Sequence, residues 1–367
     1  MKKDTSQMVE VLNSKDFHSK SQDVKHLNLL LNRYNEAPEI FKAGRYWEAY
    51  ERKIVDELYK VDLTQMRSGR YPLFATFGFN ESVYHYRHDA PFVRTLYQKF
   101  VRKFIIRNSK ILPYNLRLID IREMAFRHAE ILGALNRARP ISEIETSMFG
   151  NPQDLFKMNG KHYTMRYLTF YIRYCCAHQY INLKGDEIIV ELGSGSGHQV
   201  EILKKLYPNI TILCFDLPGQ LFLCEQYLKK ALTPGQVVSS TETIDFTDLK
   251  MLEKGKVYMF GNWLFPILKN FNFDVFWNAA SFGEMEPEIV KNYVDIIQGN
   301  CKWIYLLQAE KGKESTATSG VKTPIDFNFY SKLLERYDLK GKEIAYEAHR
   351  RVAQSGGYFQ GVWSMKS

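Results

Sequence analysis

The rhythm of apolar and polar positions changes near the middle of the chain. In the first half, apolar residues recur at three- and four-residue spacings over segments near 24–34, 47–62, 92–107, 119–137 and 163–182, the repeat that lines one face of an α-helix. Pro91 suits a helix start and Pro140 a helix end. SGRYPLFATFGFNESVYHYRHDAP, residues 68–91, is aromatic and turn-rich and reads as an ordered loop. EIETSMFGNPQDLFKMNGKHYT, with Gly150, Asn151, Pro152 and Gly160, reads as a connection. The second half alternates short apolar runs with helical stretches. The runs are EIIVEL (187–192), TILCFD (211–216), KVYMFG (256–261), FDVFWNA (273–279), KWIYLLQA (302–309), EIAYEAH (343–349) and GYFQGVW (357–363). This alternation predicts an α/β fold with an open, mostly parallel, Rossmann-like sheet of seven strands. Uninterrupted apolar runs fit strands covered on both faces. The expected division lies at INLKGDE, giving a helical region 1–182 and a sheet domain 183–367.

Composition narrows the setting. With 45% hydrophobic and 25% charged residues among 367, the chain reads as an ordinary globular protein. It has no run of ~20 apolar residues that would cross a bilayer. MKKDTSQMVEVLNSKDF has no apolar stretch behind its lysines, so no secretory signal is read and a cytoplasmic location is expected. The five cysteines (Cys175, Cys176, Cys214, Cys224 and Cys301) follow no metal-ligand spacing and are expected as reduced, buried thiols. Lysine plus arginine number 50 against 41 acids, a net charge of +9 that favours anionic partners. The densest basic stretch, LYQKFVRKFIIRNSK, is either the solvated face of an amphipathic helix or an anion-binding surface.

The candidate chemistry starts at VELGSGSG, residues 190–197. A strand leads into three glycines and a helix follows, the arrangement that sets backbone N–H groups and a helix N-terminus against a ligand. A phosphate-binding loop of the G-x-x-x-x-G-K-[ST] type would need a lysine that is absent. A dinucleotide turn, G-x-G-x-x-G, would place its third glycine where His198 stands. The pattern present, Glu191-x-Gly193-x-Gly195-x-Gly197, is similar to motif I of the class I S-adenosylmethionine-dependent methyltransferases. Asp216 ends the next run 19 residues past Gly197, close to the ~20 expected of an acid that binds ribose hydroxyls. The alternative is that Glu191 and Asp216 merely end strands in a fold without cofactor. After the third run, Gly261, Asn262 and Trp263 fall at the edge expected near the adenine. Trp263 is there either as a stacking ring or as core.

ELGSGSG, FDLPGQLFLCEQYL and NAASFGEMEPEIVKNY together resemble a bacterial family of sugar O-methyltransferases, and FGNPQDLFKMNGKHYTMRYL looks like that family's entry segment. The likeness covers roughly 120–310. It implies a class I methyltransferase sheet, S-adenosylmethionine as cofactor and a sugar hydroxyl as acceptor. The implied cofactor contacts are Glu191, Gly193, Ser194, Gly195, Gly197, His198, Asp216, Leu217, Gly261, Asn262, Trp263, Asn278 and Ser281. The paired acids of metal-dependent relatives are absent after the fourth run, so no metal is expected. The Asn/Asp-Pro-Pro-aromatic motif of nucleic-acid amino-methyltransferases is absent too, which argues against a nucleic-acid acceptor. The activated cofactor leaves the enzyme to supply proximity, in-line geometry and a base. Glu284 and His349 are the base candidates; the alternatives are a helix-start acid and a strand-end histidine. On HYTMRYLTFYIRYCCAHQY, Tyr163, Arg166, Tyr167 and Arg173 are the candidate substrate contacts. Arg166 and Arg173 lie seven apart on one helix face, where they suit a phosphate or carboxylate. The same helix could instead serve domain packing or a homodimer contact. An RNA acceptor, a non-sugar metabolite or peptide acceptor, and a non-catalytic partner that keeps the fold are the rival readings.

Overall fold

The computed structural model describes residues 21–75, 78–79, 121–313, 320–345 and 357–366. The region before the sheet is helical there, with α1 at Ser21–Asn35, α2 at Arg45–Leu58, α3 at Ile121–Leu135 and α4 at Met165–Ile181. Four of the five expected helices therefore stand within about four residues of their apolar stripes. The fifth, 92–107, lies outside the described residues, as do the basic stretch from Leu96 and His349. Helix α4 begins at Thr164, whose hydroxyl accepts from the Tyr167 N–H at 3.1 Å, and ends on Asn182 in the left-handed region at φ 53°.

The connection before α4 holds a small hairpin that its turn residues announce only in hindsight. Strands β1 (Phe156–Met158) and β2 (Lys161–Tyr163) pair antiparallel around Asn159 (φ 49°) and Gly160 (φ 85°). Two consecutive positive φ angles on Asn-Gly make a type I′ turn.

The main sheet contains β3 (Ile188–Leu192), β4 (Thr211–Asp216), β5 (Val237–Val238), β6 (Val257–Gly261), β7 (Phe273–Ala279), β8 (Cys301–Ala309), β9 (Tyr337–Ile344) and β10 (Tyr358–Met365). Their order is β5-β6-β4-β3-β7-β8-β10-β9. All pairs from β5 to β8 are parallel, whereas β10 runs antiparallel to both β8 and β9. Helices α5 (His198–Leu206), α6 (Pro218–Ala231), α7 (Pro287–Ile297) and α8 (Phe327–Leu333) connect the strands. This is a Rossmann-like, mostly parallel α/β sheet joined to a helical N-terminal region, as the alternation predicts. Two details differ. The two-residue edge strand β5 makes eight strands rather than seven. The sixth strand runs Tyr337–Ile344 and overlaps the expected 343–349 only at 343–344, while 346–349 lie outside the described residues. Strand β9 pairs on one side only, and most of its side chains face solvent, so it carries the charged pattern of an edge rather than an apolar run.

One apolar cluster runs from α1 and α2 through α4 to both faces of α6 and onto β3, β4 and β7. The N-terminal helices thus share a core with the sheet. Strands β3, β4 and β7 carry almost wholly buried side chains, as expected of strands covered on both faces. The chain leaves β3 toward β4 on one side and returns to β7 on the other, so the switch point of the sheet lies at the carboxyl end of β3.

Candidate functional site

A cleft opens at that switch point. Its floor is made by the strand tips and the loops after them: Glu191 to Ser196, Asp216 and Leu217, Asn262, Ala279 to Ser281, and Glu284. Its roof comes from the helical region: Lys42, Gly44 and Trp47 near the start of α2, and Arg166, Phe170 and Arg173 on one face of α4. Acids therefore face cations across the cleft.

The glycine turn is built by backbone geometry. Gly193, Gly195 and Gly197 have φ of 80°, 52° and 74°, in the region that side chains with a Cβ rarely adopt. Space adds a second demand at two of them. A Cβ on Gly193 would lie 2.7 Å from Ser281, and one on Gly197 would lie 3.0 Å from Cys224 and Leu228 of α6. Gly193 is thus the point of closest approach between the turn and the loop after β7. Gly197 lets α6 pack on the turn rather than lining the cleft itself.

Asp216 tightens the turn from the tip of β4. Its two oxygens accept from the Gly195 and Leu217 N–H groups, each at 2.8 Å. Each oxygen retains a lone pair for a further donor. Burial pushes its carboxyl up to about 7 against those two bonds. Glu191, at the tip of β3, is pushed up to about 8, again by burial first; the Ser194 hydroxyl and the Arg173 guanidinium pull the other way. Several buried polar atoms at the cleft have no hydrogen-bond partner among the described residues: Glu191 Oε2, Asn262 Oδ1, and both ends of the Gln220 amide. Buried polar groups are nearly always paired, and these atoms retain the capacity to pair with a polar group in the cleft.

Beyond β7, Asn278 holds the loop from behind. It is fully buried and does not line the cleft. Its Nδ2 donates to the Leu192 carbonyl at 2.9 Å and to Ser281 Oγ at 2.6 Å, and its Oδ1 accepts from the Phe282 N–H and from Gln308. Ala280, which does line the cleft, is held at φ 72°, an uncommon conformation for a residue with a Cβ. Glu284 follows on a single 3₁₀ turn, 282–284, and forms an ion pair with Lys313 beyond β8. Burial raises its carboxyl, while Lys313 and a hydrogen bond from Trp47 lower it. Lys313 also sits over the Tyr46 ring at 5.0 Å.

Of the residues singled out in the sequence, Glu191, Gly193, Ser194, Gly195, Asp216, Leu217, Asn262, Ser281, Glu284, Arg166 and Arg173 line the cleft. The others within the described residues do not. His198 faces inward from the start of α5 and is fully buried. Its ring stacks on Tyr227 and Phe170, and its Nδ1 lies 2.7 Å from Ser196 Oγ. Burial, together with Arg67 and Arg166, holds it neutral. The Trp263 ring folds back over Gly261, so neither presents a stacking face; its neighbour is Tyr34. Tyr163 and Tyr167 are fully buried in the helical core. Lys42, Trp47, Phe170, Gln220, Tyr293 and Lys313 also stand at the site, and the sequence singles out none of them. Gln220 was present in the DLPGQ segment, two residues into a helix that follows a strand tip. The roof residues near 42–47 carry no local signal.

The five cysteines are buried and unpaired. Among the described residues no group of three or more His, Cys, Asp or Glu could hold a metal ion, and no helix is long and apolar enough to cross a membrane.

No protein-family model matches the sequence, and no curated protein matches it. Solved structures are similar at a distance. A chain from the complex between the Haloferax volcanii Trm112 methyltransferase activator and a putative methyltransferase is 12% identical, with a TM-score of 0.36 over 53% of this chain and 89% of that one. A cyclopropane-fatty-acyl-phospholipid synthase-like protein from Lactobacillus casei is 8% identical, with a TM-score of 0.36 over 64% and 98%. The magnesium protoporphyrin IX methyltransferase of Synechocystis, solved with bound SAH, is 9% identical, with a TM-score of 0.34 over 75% and 98%. At these values the likenesses bear on neither reaction nor substrate.

Proposed function

We propose that this chain is an S-adenosylmethionine-dependent O-methyltransferase whose acceptor is a hydroxyl of a sugar-containing molecule. One observation carries the reading: a glycine turn with three positive φ angles, two strand-tip carboxyls and an unpartnered Asn262 oxygen converge on one cleft at the switch point. The cofactor reading fits the donors and acceptors present. Asp216, on the strand next to the turn, has acceptor capacity for the two ribose hydroxyls. Asn262 Oδ1 suits the exocyclic amine of an adenine, and the unpartnered Glu191 Oε2 suits the amine of the methionyl end as a hydrogen-bond acceptor. When bound, the cofactor supplies a methyl group already activated on a sulfonium sulfur.

The chain's own residues then do three things. Arg166, Phe170 and Arg173 on α4, with Lys42 and Trp47, cover the cleft and orient the acceptor, which is the role we assign to residues 1–182 over a cofactor layer at 183–367. Asn278 and Gln308 fix the loop that faces the transferred methyl. With the cofactor bound, Glu284 would accept the acceptor's hydroxyl proton as that oxygen takes the methyl group and the carbon–sulfur bond breaks to leave a neutral thioether, and Lys313 holds the carboxylate in place. The Trp47 ring, which lines the cleft, suits a sugar ring, and the cationic roof suits an attached phosphate or carboxylate. Screening nucleotide sugars and acidic glycosides for methyl transfer tests the acceptor class. Turnover with apolar phenols and none with sugars would replace it.

A further inference from the structure

We infer that Glu51 is a positioning residue for the cofactor side of the cleft: its carboxyl, carried on α2, caps the N-terminus of α6 and so fixes the strand tip that bears Asp216. The inference rests on the cofactor reading above and extends it to a residue outside the cleft lining.

Helix α6 starts without a local cap. Its N-cap position is Leu217, which offers no side-chain hydrogen bond, and a helix leaves its first N–H groups without internal partners. The missing acceptor arrives from 168 residues upstream: Glu51 Oε1 accepts from the Gly219 N–H at 2.5 Å. The glycine makes this approach possible. A Cβ on Gly219 would lie 3.0 Å from Glu51 Oε1 and 3.1 Å from Ile54 Cγ2. Glu51 is 4% exposed, and its second oxygen has no partner among the described residues. Burial pushes its carboxyl up to about 8, Asp216 adds to the rise and the Gly219 bond opposes it. At neutral pH the group is therefore mostly protonated, and glutamine is its close mimic.

The same segment is tied down at its other end. The Phe41 carbonyl accepts from Asn262 Nδ2 at 2.5 Å. Residues 41 and 51 thus latch onto the loops after β6 and β4, and Lys42 to Trp47 between them roof the cleft. Releasing the Glu51 end frees the first turn of α6, where Gln220 lines the cleft, and loosens the roof.

The test compares Glu51→Gln, which keeps an acceptor, with Glu51→Met, which fills the space without one. S-adenosylhomocysteine affinity is read by calorimetry, and backbone amide exchange of 216–222 is read on the ligand-free protein. Glu51→Met leaves the Gly219 N–H without its acceptor and frees the segment that carries Asp216 and Gln220, so it should bind roughly tenfold more weakly and exchange faster at Gly219. Glu51→Gln should stay within about threefold of the parent with unchanged exchange. Gly219→Ala, which pushes Glu51 away, should reproduce the Met result and serves if the Met variant does not fold. Parent-like affinity and exchange in Glu51→Met or Gly219→Ala overturns the inference, as does a Gln variant as weak as Met. If the parent protein does not bind S-adenosylhomocysteine, the cofactor reading fails, and the exchange comparison still decides whether Glu51 holds α6.

Discussion

Replacing Gly193 by alanine should separate the two reasons a glycine stands there. The first is conformational: at φ 80° an alanine loses about 1–2 kcal/mol. The second is steric: its Cβ would lie 2.7 Å from Ser281 Cβ and Oγ. Ser281 cannot yield cheaply, because its hydroxyl bonds Asn278 at 2.6 Å and the Leu192 carbonyl at 3.2 Å, each worth about 0.5–1.5 kcal/mol. Gly193→Ala should therefore destabilise by about 2–5 kcal/mol in total. Gly160 provides the control. It has nearly the same φ, 85°, and no atom within 4 Å of the position a Cβ would take, so Gly160→Ala should cost only the conformational part, about 1–2 kcal/mol. Denaturant midpoints of the two variants measure the difference. Adding Ser281→Gly to Gly193→Ala removes the clash, and the cycle should show a coupling of at least about 1 kcal/mol. Equal midpoints for Gly193→Ala and Gly160→Ala would refute the close-approach argument.

Three further expectations follow from the same geometry. Glu284→Gln should lower turnover by about 10²-fold or more while leaving S-adenosylhomocysteine affinity unchanged; near-normal turnover would remove Glu284 as the base. Asn262→Asp, which keeps the outline but turns the amide donor to Phe41 into an acceptor, should weaken cofactor binding more than Trp263→Phe, since the indole lies over Gly261 rather than in the cleft. Calorimetry of both variants decides the order. Stability should also fall as pH rises. Asp216, Glu51 and Glu191 are raised in the folded protein to about 7, 8 and 8. The unfolded chain therefore gives up these protons first, near pH 4, and the folded state loses its advantage from there up to pH 8. Thermal midpoints should be higher at pH 6 than at pH 8.5, and Glu51→Gln should flatten the difference; a midpoint that rises over this range would contradict the assignments.

What could be read from the sequence follows from how local each determinant is. Strands 211–216 and 273–279 coincide with their apolar runs to the residue, because a strand buried on both faces is apolar throughout and ends where polarity returns. The hairpin at 156–163 reads only as a connection although Asn159-Gly160 marks its turn, since three-residue strands leave no alternation to detect. The site shows the same contrast. Glu191, Asp216 and Glu284 sit at the ends of readable strands or just past one, so their place in the cleft follows from the fold. His198 and Trp263 occupy equally suggestive positions, yet their rings turn into aromatic surroundings, and side-chain direction at a helix start or on a 3₁₀ turn is decided by packing. The roof at 42–47 and the cap from Glu51 depend on contacts made across the whole chain, which no local pattern encodes.

The central claim is that the cleft at the tip of β3 binds S-adenosylmethionine through Asp216. Calorimetric titration of the protein with S-adenosylhomocysteine, with NAD as control, tests it most directly. The expected result is micromolar binding of S-adenosylhomocysteine alone, and its loss in Asp216→Ala with the fold retained. No binding by the folded parent, or equal binding by Asp216→Ala, would contradict it.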